Sequence, residues 1–393
     1  MSFLILNAAS NKSPPAGRRT WAGELSGACG DLGTFVPYTL GAMNVAGMAP
    51  AGVLTGFGLF YLATGLFYRL PIPVQPMKAV SAVLLTSGLS AQAIAATGLL
   101  VGLSLLVLGL TGIIGRLAQA VPQSVTTGLQ LGLGISLAWL SVGMMAETWW
   151  LSLLLVALLV ALLKAPRIPS TLVALALAVV IGRWLGAGDE WPVLEPGITV
   201  PTLVVPGLED LAYALHVTVL PQLALTLTNA VIVTAALSRE LFGPRARRVS
   251  PSNLALSSGL ANIALAPLGA LPMCHGAGGL AAHYRFGART GAPPVLLGIA
   301  LLTLGVVFPD TAAALLSLIP TAAVGALLLL SAIELAWSKR LVDARPACLP
   351  IIGITAAATV LWNPLWGVLA GWGVEFMAAR IGSRLQSDTS KRP

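Results

Sequence analysis

The stretches PIPVQPMKAVSA (71–82) and LPMCHGAGGLAAH (271–283) decide the fold of this chain. Each stands at the start of an otherwise apolar run and combines prolines or glycines with polar side chains such as Gln75, Lys78 and His275. In lipid, irregular backbone is tolerated only where protein buries it or where it lines a water-filled cavity. Two interrupted hydrophobic segments at matching places in two halves of a chain are typical of a transporter's binding site.

The composition indicates a membrane protein. Of the 393 residues, 56% are hydrophobic and only 9% are charged, whereas a soluble domain carries about 25% charged residues. Mean hydropathy is +0.88. The cysteines Cys29, Cys274 and Cys348 are dispersed, and their spacing suggests neither a zinc site nor a disulfide framework. We therefore predict an all-α polytopic membrane protein without a metal site or a cofactor.

Glycine and proline breaks, together with charges, divide the chain into fourteen predicted transmembrane segments. A span needs about 20 apolar residues, or fewer where it is broken or tilted. Segments 3 and 10 contain the two interrupted stretches, so we expect each to be a short extended stretch followed by a half-helix. The predicted segments are 22–42, 49–68, 74–90, 93–113, 121–143, 147–163, 169–186, 211–237, 252–267, 272–287, 292–308, 312–336, 346–362 and 364–379.

The basic residues predict an orientation. With the N-terminus in the cytoplasm, all of the 22 Lys and Arg lie on the inner side except Lys78, inside a segment, and Arg183, on the outer side. This distribution follows the positive-inside rule. The net charge of +8 therefore reflects topology, with a secondary attraction to anionic lipid, and it argues against a nucleic-acid partner. We expect the arm 1–20 and the tail 381–393 to be cytoplasmic.

Proline positions indicate an internal repeat. Pro272 follows Pro73 by 199 residues, and Pro320 follows Pro122 by 198. Local identity is weak, so coincidence among the 27 prolines is the alternative. Because seven segments is an odd number, the second copy would enter from the opposite face, which makes the repeat inverted. The predicted repeats are 21–205 and 206–380.

The third segment predicts a helix that begins inside the membrane. The prolines of PIPVQP remove hydrogen-bond donors and fix φ, so this stretch is extended and a helix can begin near Pro76. A helix N-terminus carries about half a positive charge and binds anions, and Gln75 and Lys78 add a neutral and a charged donor. In segment 10 a helix is expected near His275, where Gly276 lets the backbone approach a ligand. Two opposed N-termini of this kind attract a small anion.

Other interpretations of these residues stay open. Lys78 could be the counter-ion of a buried acid such as Asp31, and His275 could be a hydrogen-bonded packing residue. Gln75 could satisfy the backbone of the broken helix. Asp31 would repel an anion unless it is protonated or paired with Lys78, so it is a candidate for proton coupling or for an ion pair.

Segments 1 and 8 supply further candidates. Thr34 lies in segment 1 where glycines weaken the helix, and segment 8 offers Gln222, Thr226, Thr228 and Asn229 at helical spacing. Thr and Asn within spans often only bond neighbouring helices, which is the alternative. The candidate substrate-binding residues are Gln75, Pro76, Lys78, Cys274, His275, Gly276, Thr34, Thr228 and Asn229.

The blocks GDLGTFVPYTLG (30–41), PVQPMKAVSAV (73–83) and PMCHGAGGLAAHYRFGARTG (272–291) are long and specific. They resemble the bacterial and plant molybdate transporter family, which is related to the sulfate permeases and more distantly to nucleobase transporters. The resemblance extends over about residues 20–380. It implies a seven-plus-seven inverted repeat with interleaved core and gate domains, oxyanion binding between segments 3 and 10, and a homodimer. The candidate residues that fall within these blocks are Gln75, Lys78, His275, Gly276, Asp31 and Thr34.

The predicted function is uptake of a tetrahedral oxyanion across the inner (plasma) membrane, with molybdate favoured and with an elevator-type movement that the resemblance implies. Sulfate permeases usually append a STAS domain, for which this chain has no room, so the molybdate branch is preferred. Sulfate or tungstate transport, and an anion channel, are alternatives. Proton symport through Asp31 is a candidate form of coupling. An enzyme using His275, Cys274 and Asp31 is disfavoured, because no second histidine or paired carboxylate stands at a suitable spacing.

Overall fold

The computed structural model describes residues 20–162, 170–185 and 193–389, and these residues are mostly helical. The predicted N-terminal arm lies outside the described residues apart from Thr20, and so do the last four residues of the predicted tail. Thr20 caps the first helix, because its Oγ1 accepts a hydrogen bond from Gly23 N at 3.1 Å.

The first half of the chain contains helices joined by short connections, and one of these connections holds a two-residue strand. A π-helical turn, Gly41–Val45, extends the second helix. In chain order the elements are α1 (Trp21–Ala28), α2 (Leu32–Leu40), α3 (Pro50–Tyr68), β1 (Gln75–Pro76), α4 (Lys78–Ser87), α5 (Ala91–Thr111), α6 (Ile114–Ala120), α7 (Gln123–Ala146), α8 (Trp149–Leu162) and α9 (Ser170–Trp184).

The second half begins with a helix of 41 residues, α10 (Leu208–Arg248), which contains π-helical stretches at Leu215–Val219 and Thr226–Val233. A π-helical turn, Thr303–Val307, extends α13. The other elements are α11 (Pro251–Leu265), β2 (Met273–Cys274), α12 (Ala277–Arg285), α13 (Ala292–Leu302), α14 (Pro309–Ser317), α15 (Thr321–Ala336), α16 (Lys339–Val342), α17 (Leu349–Leu361) and α18 (Pro364–Thr389).

The two interrupted stretches meet in the interior. Strands β1 and β2 pair antiparallel, with Gln75 opposite Cys274, and Met77 N donates to Pro272 O at 2.8 Å. On the other side, the amide of Asn262 binds both the N–H (2.9 Å) and the C=O (2.6 Å) of Met273. This irregular backbone is therefore hydrogen-bonded within the protein, as lipid requires.

Helices follow both strands directly. Helix α4 begins at Lys78, two residues after the expected start near Pro76, and α12 begins at Ala277, two residues after His275. In each case an extended residue, Met77 or Gly276, occupies the N-cap position. Each stretch is therefore extended and is followed by a short helix, of 10 residues after β1 and of 9 residues after β2.

Helices of the two halves pack against each other in pairs. Helix α3 packs on α13, α5 on α11, and α7 on α15, and α17 and α8 lie against α7 and α15 respectively. Glycines allow the first two pairs to approach closely, because a Cβ at Gly102 would lie 2.9 Å from Gly259 O and one at Gly58 would lie 3.0 Å from Gly298 O. Small residues at helix contacts are the usual solution in membranes.

Several predicted segments have different limits in the structure, and the eighth, predicted at 211–237, lies within the longer helix α10 (Leu208–Arg248). The first is broken between α1 and α2, and Asp31 is the N-cap residue of α2. The twelfth, predicted at 312–336, is divided between α14 and α15, because Pro320 stands at the N-cap of α15 and α14 forms a 95° bend with 292–307. The fourteenth was predicted to end at 379, but its helix continues to Thr389.

Four helices among the described residues are long and apolar enough to cross a membrane alone, and the bent pair could form a fifth span. The remaining apolar helices have 10–17 residues. The count of fourteen spans therefore stays a prediction. Large apolar side chains such as Leu110, Trp139 and Trp184 are exposed, as expected for a surface that faces lipid. The four long helices are α3, α5, α7 and α10.

Candidate functional site

A cavity of about 390 Å³ lies where the two interrupted segments meet. Its wall includes the first residues of α4 and α12, the π-helical part of α10, and the C-terminal end of α15. Exposed residues Glu240, Trp337 and Lys339 mark its open end. The polar and charged residues on the wall are Gln75, Lys78, Gln130, Gln222, Thr226, Asn229, Glu240, Cys274, His275, Glu334, Ser338 and Lys339.

The N-terminus of α12 presents backbone donors to this cavity. Gly276, Ala277 and Gly278 line it, and within the described ranges no protein acceptor binds the N–H groups of Ala277 and Gly278. Gly276 has no side chain, and a Cβ there would overlap Oε1 of Gln75. Free N–H groups at a helix start form a site that favours anions.

The N-terminus of α4 is different, because a side chain already occupies it. Gln222 Oε1 accepts hydrogen bonds from Ala79 N (3.0 Å) and Val80 N (3.3 Å), and its Nε2 donates to Thr226 Oγ1 at 2.9 Å. The first N–H groups of a helix have no partners within the helix itself, but Gln222 pairs two of those of α4, so these two are not available to an anion. Buried N–H groups are costly to leave unpaired, and Gln222 from α10 supplies the acceptor.

Replacing Gln222 by leucine should lower the free energy of unfolding by about 1–3 kcal/mol, because two buried donors lose their acceptor. Thermal unfolding of the detergent-purified protein would measure the loss. The control is Gln130→Leu on the same cavity wall, because no hydrogen bond from the Gln130 side chain is found in the described part of the chain. Equal stability of the two variants would contradict the capping role of Gln222.

Lys78 lies half-buried on the cavity wall. Among the described residues it forms no ion pair, so the direct pairing with Asp31 that was one alternative is not made. Asp31 is instead only 3% exposed and lies behind the wall, where Gln75 Nε2 donates to its Oδ1 at 2.6 Å. Its Oδ2 is buried and has no hydrogen-bond partner in the described structure. The cation is therefore available to a ligand, and the acid is set back from the cavity.

His275 is a structural link in this arrangement. Its ring is 1% exposed, Nδ1 donates to Pro73 O at 2.9 Å, and Nε2 lies 2.8 Å from Ser257 Oγ. The rings of Phe60 and Tyr68 pack around it, with centroids 5.1 and 5.6 Å away. Because both ring nitrogens are engaged, the packing alternative describes this side chain, and direct binding through the imidazole does not agree with the geometry.

The other candidate residues lie either on the cavity wall or outside the cavity. Pro76, Cys274 and Asn229 line the cavity, and the amide of Asn229 makes no hydrogen bond to any described residue. Thr228 lies outside the cavity, and its hydroxyl donates to Ala224 O one turn earlier at 2.9 Å. Thr34 is also outside it. Gln222 was noted in segment 8 as a polar amide within an apolar run, but it was not included among the candidate substrate-binding residues, and the structure places it on the cavity wall.

Comparisons with known proteins identify the family of the chain. A family model described as "Molybdate transporter of MFS superfamily" matches residues 23–137 and 214–335. Molybdate transporter 2 of Arabidopsis thaliana is 32% identical over 368 residues, covering 81% of this chain and 78% of the relative. Molybdate transporter 1 of Chlamydomonas reinhardtii is 31% identical over 455 residues, covering 85% and 87%.

Solved structures resemble the fold at low sequence identity. The transmembrane domain of the cyanobacterial bicarbonate transporter BicA has a TM-score of 0.68 at 17% identity, covering 90% of this chain and 98% of that one. Murine Slc26a9, an anion transporter in the inward-facing state, has a TM-score of 0.69 at 13% identity, covering 96% and 71%. The relatives are transporters and not enzymes. These findings confirm the resemblance of the three sequence blocks: the chain belongs to the molybdate transporter family, a family of polytopic membrane transporters.

Proposed function

We propose that this protein takes up molybdate and holds the dianion between the N-termini of α4 and α12. The observation that carries the proposal is Lys78, a cation without an ion pair in the described chain, on a cavity wall beside the free N–H groups of Ala277 and Gly278. A charged donor and backbone amides together form short, strong hydrogen bonds to oxyanions. Asn229 can add a further amide donor.

The proposal includes an inverted repeat of seven plus seven segments. The strand register supports it, because Gln75 pairs with Cys274, and these residues are separated by the same 199 positions as Pro73 and Pro272. A two-fold axis through this pair would exchange α3 with α11 and α5 with α13. This exchange would turn the contact between α3 and α13 into the contact between α11 and α5. Both contacts are present.

Transport is proposed to follow an elevator-type mechanism. One group of helices packs together beside the paired strands β1 and β2, and it consists of α3, α5, α11 and α13. The helices of a second group pack with one another, and they are α7, α8, α15 and α17. We assign the first group to the core domain and the second to the gate. The cavity opens beside the basic loops that are expected in the cytoplasm, so this state is proposed to face inward, in an inner membrane with both termini cytoplasmic. A homodimer stays a prediction from the family.

Competition would test the substrate. In a strain without other molybdate importers, we expect unlabelled tungstate to reduce uptake of labelled molybdate about as well as molybdate itself, with sulfate weaker and phosphate weakest. Tungstate has the same charge and nearly the same size. Phosphate at neutral pH carries a hydroxyl hydrogen, which would face N–H donors without an acceptor. A stronger effect of sulfate than of molybdate would favour the sulfate alternative.

The same protein in liposomes separates a transporter from a channel. A transporter should show uptake that saturates with molybdate concentration, because each cycle moves one bound anion. Flux that rises linearly with concentration, together with a current through the membrane, would indicate an anion channel and would contradict the proposal.

A further inference from the structure

Gln75 links the proposed anion site to a buried acid. The side chain is 4% exposed, and its Nε2 donates to Asp31 Oδ1 at 2.6 Å. Its other amide atom, Oε1, lies against Gly276, where a Cβ would overlap it. One amide therefore contacts both Asp31, behind the wall, and the N-cap residue of α12, on the wall.

The ionisation of Asp31 determines which way this amide faces. A carboxylate only accepts hydrogen bonds, so an ionised Asp31 requires the NH₂ group of Gln75. The acceptor oxygen of Gln75 then faces Gly276 at the cavity, where an anion also brings only acceptors. In this orientation Gln75 repels the proposed ligand.

We propose that Asp31 takes up one proton as the anion binds, and that the Gln75 amide then turns over. The inference rests on the proposed function. The proton is donated by the acid form of the buffer and reaches the protein through the water of the cavity, so the buffer is left as its conjugate base; it bonds to Oδ1 of Asp31, which becomes a neutral carboxylic acid. Its O–H donates to Gln75 Oε1, and the NH₂ group of Gln75 turns toward the anion. The unpartnered Oδ2 changes from a carboxylate to a carbonyl oxygen, which is less costly to leave unpaired.

The groups around Asp31 give the physical reason for this coupling. Among the described residues, Lys78 on α4 is the nearby cation and Glu334 on α15 is a further acid. Tyr61 on α3 and His283 on α12 are other titratable groups close to this position. When a dianion engages Lys78, two negative charges are added close to Asp31. Like charges in a poorly hydrated interior disfavour one another strongly, and a proton on Asp31 relieves that repulsion.

Calorimetry of molybdate binding to the purified full-length protein, in two buffers with different enthalpies of protonation, tests the proposal. We expect the wild type to take up about one proton per anion, and its affinity to fall about tenfold for each unit rise in pH while Asp31 is ionised in the free protein. The sign follows because the complex binds more protons than the free protein.

Asp31→Asn supplies the discriminating variant. Asparagine can bond either end of the Gln75 amide but cannot titrate, so binding should persist with no proton uptake and no pH dependence. The control is Asp310→Asn on α14, an exposed carboxylate outside the cavity, which should keep both. Retained proton uptake in Asp31→Asn would overturn the assignment and direct attention to His283, whose buried Nε2 has no hydrogen-bond partner in the described chain.

The wild-type measurement alone keeps the inference falsifiable if Asp31→Asn does not fold. Molybdate binding without proton uptake would overturn the switch and leave the proposed transport function intact. Failure of the folded wild type to bind molybdate, tungstate or sulfate at any pH would overturn the proposed function itself, and the switch with it.

Discussion

Replacing Lys78 by alanine is expected to lower the affinity for molybdate by about 10- to 100-fold. Hydrogen bonds to charged groups contribute about 1.5–3 kcal/mol, and each 1.4 kcal/mol is a factor of ten in affinity. The effect should be at the upper end, because Lys78 is half-buried and forms no ion pair in the described structure that would compete for its charge. Binding to the purified variant, and uptake of labelled molybdate in cells, would measure the loss.

Lys339→Ala is the matched control for this prediction. Lys339 also carries a positive charge at the cavity, but it is exposed at the open end, where salt and water screen its interactions. We expect its affinity to change by less than about twofold. If Lys78→Ala bound molybdate as tightly as Lys339→Ala, Lys78 would not be the anion's charged donor and the proposed site would be wrong.

Replacing Gly276 by alanine is expected to abolish uptake. The backbone at Gly276 is extended and tolerates any residue, so the effect comes from space alone. The new methyl group would overlap Gln75 Oε1. It would therefore force Gln75 away from Asp31 or separate the paired strands β1 and β2. Overpacking of this kind costs about 1–3 kcal/mol, and it acts directly on the donors of the proposed site. Uptake corrected for the amount of folded protein would measure it.

Gly353→Ala is the control for this substitution. Gly353 lies within α17, where an added Cβ meets no atom within 4 Å. Alanine is the better helix former by about 1 kcal/mol, so this variant should keep full uptake and equal or greater stability. Normal uptake by Gly276→Ala would mean that the close approach of Gln75 to α12 has no part in binding.

Much of the fold could be predicted because its signals are local. The prolines of 71–76 exclude a helix at their own positions, and a helix can begin only after them. The observed start at Lys78 differs by two residues from the prediction because the strand pairing, including Met77 N with Pro272 O, extends the non-helical stretch. The break of the twelfth segment had the local signal of Pro320, but the 95° bend of α14 depends on packing.

The candidate site was predicted only in part, because only some of its features have local signals in the sequence. That Lys78 would face a cavity followed from its place just after a broken backbone in an apolar run. Sequence could not decide whether His275 binds a ligand or packs, because the choice depends on Pro73 and Ser257 as its partners. It also could not assign Gln222 to the start of α4, since the residues that it joins lie more than 140 positions away.

The sequence by itself determined that this chain belongs in a membrane, where its helices are interrupted, and that a cation stands beside one interruption. These are properties of hydrophobicity and proline geometry, which act within a few residues. Only the tertiary structure decided that Gln222 caps α4, that His275 is a structural link, and that Gln75 joins Asp31 to the cavity wall. A buried polar group must find a partner wherever the fold brings one, and that partner is set by packing between distant segments.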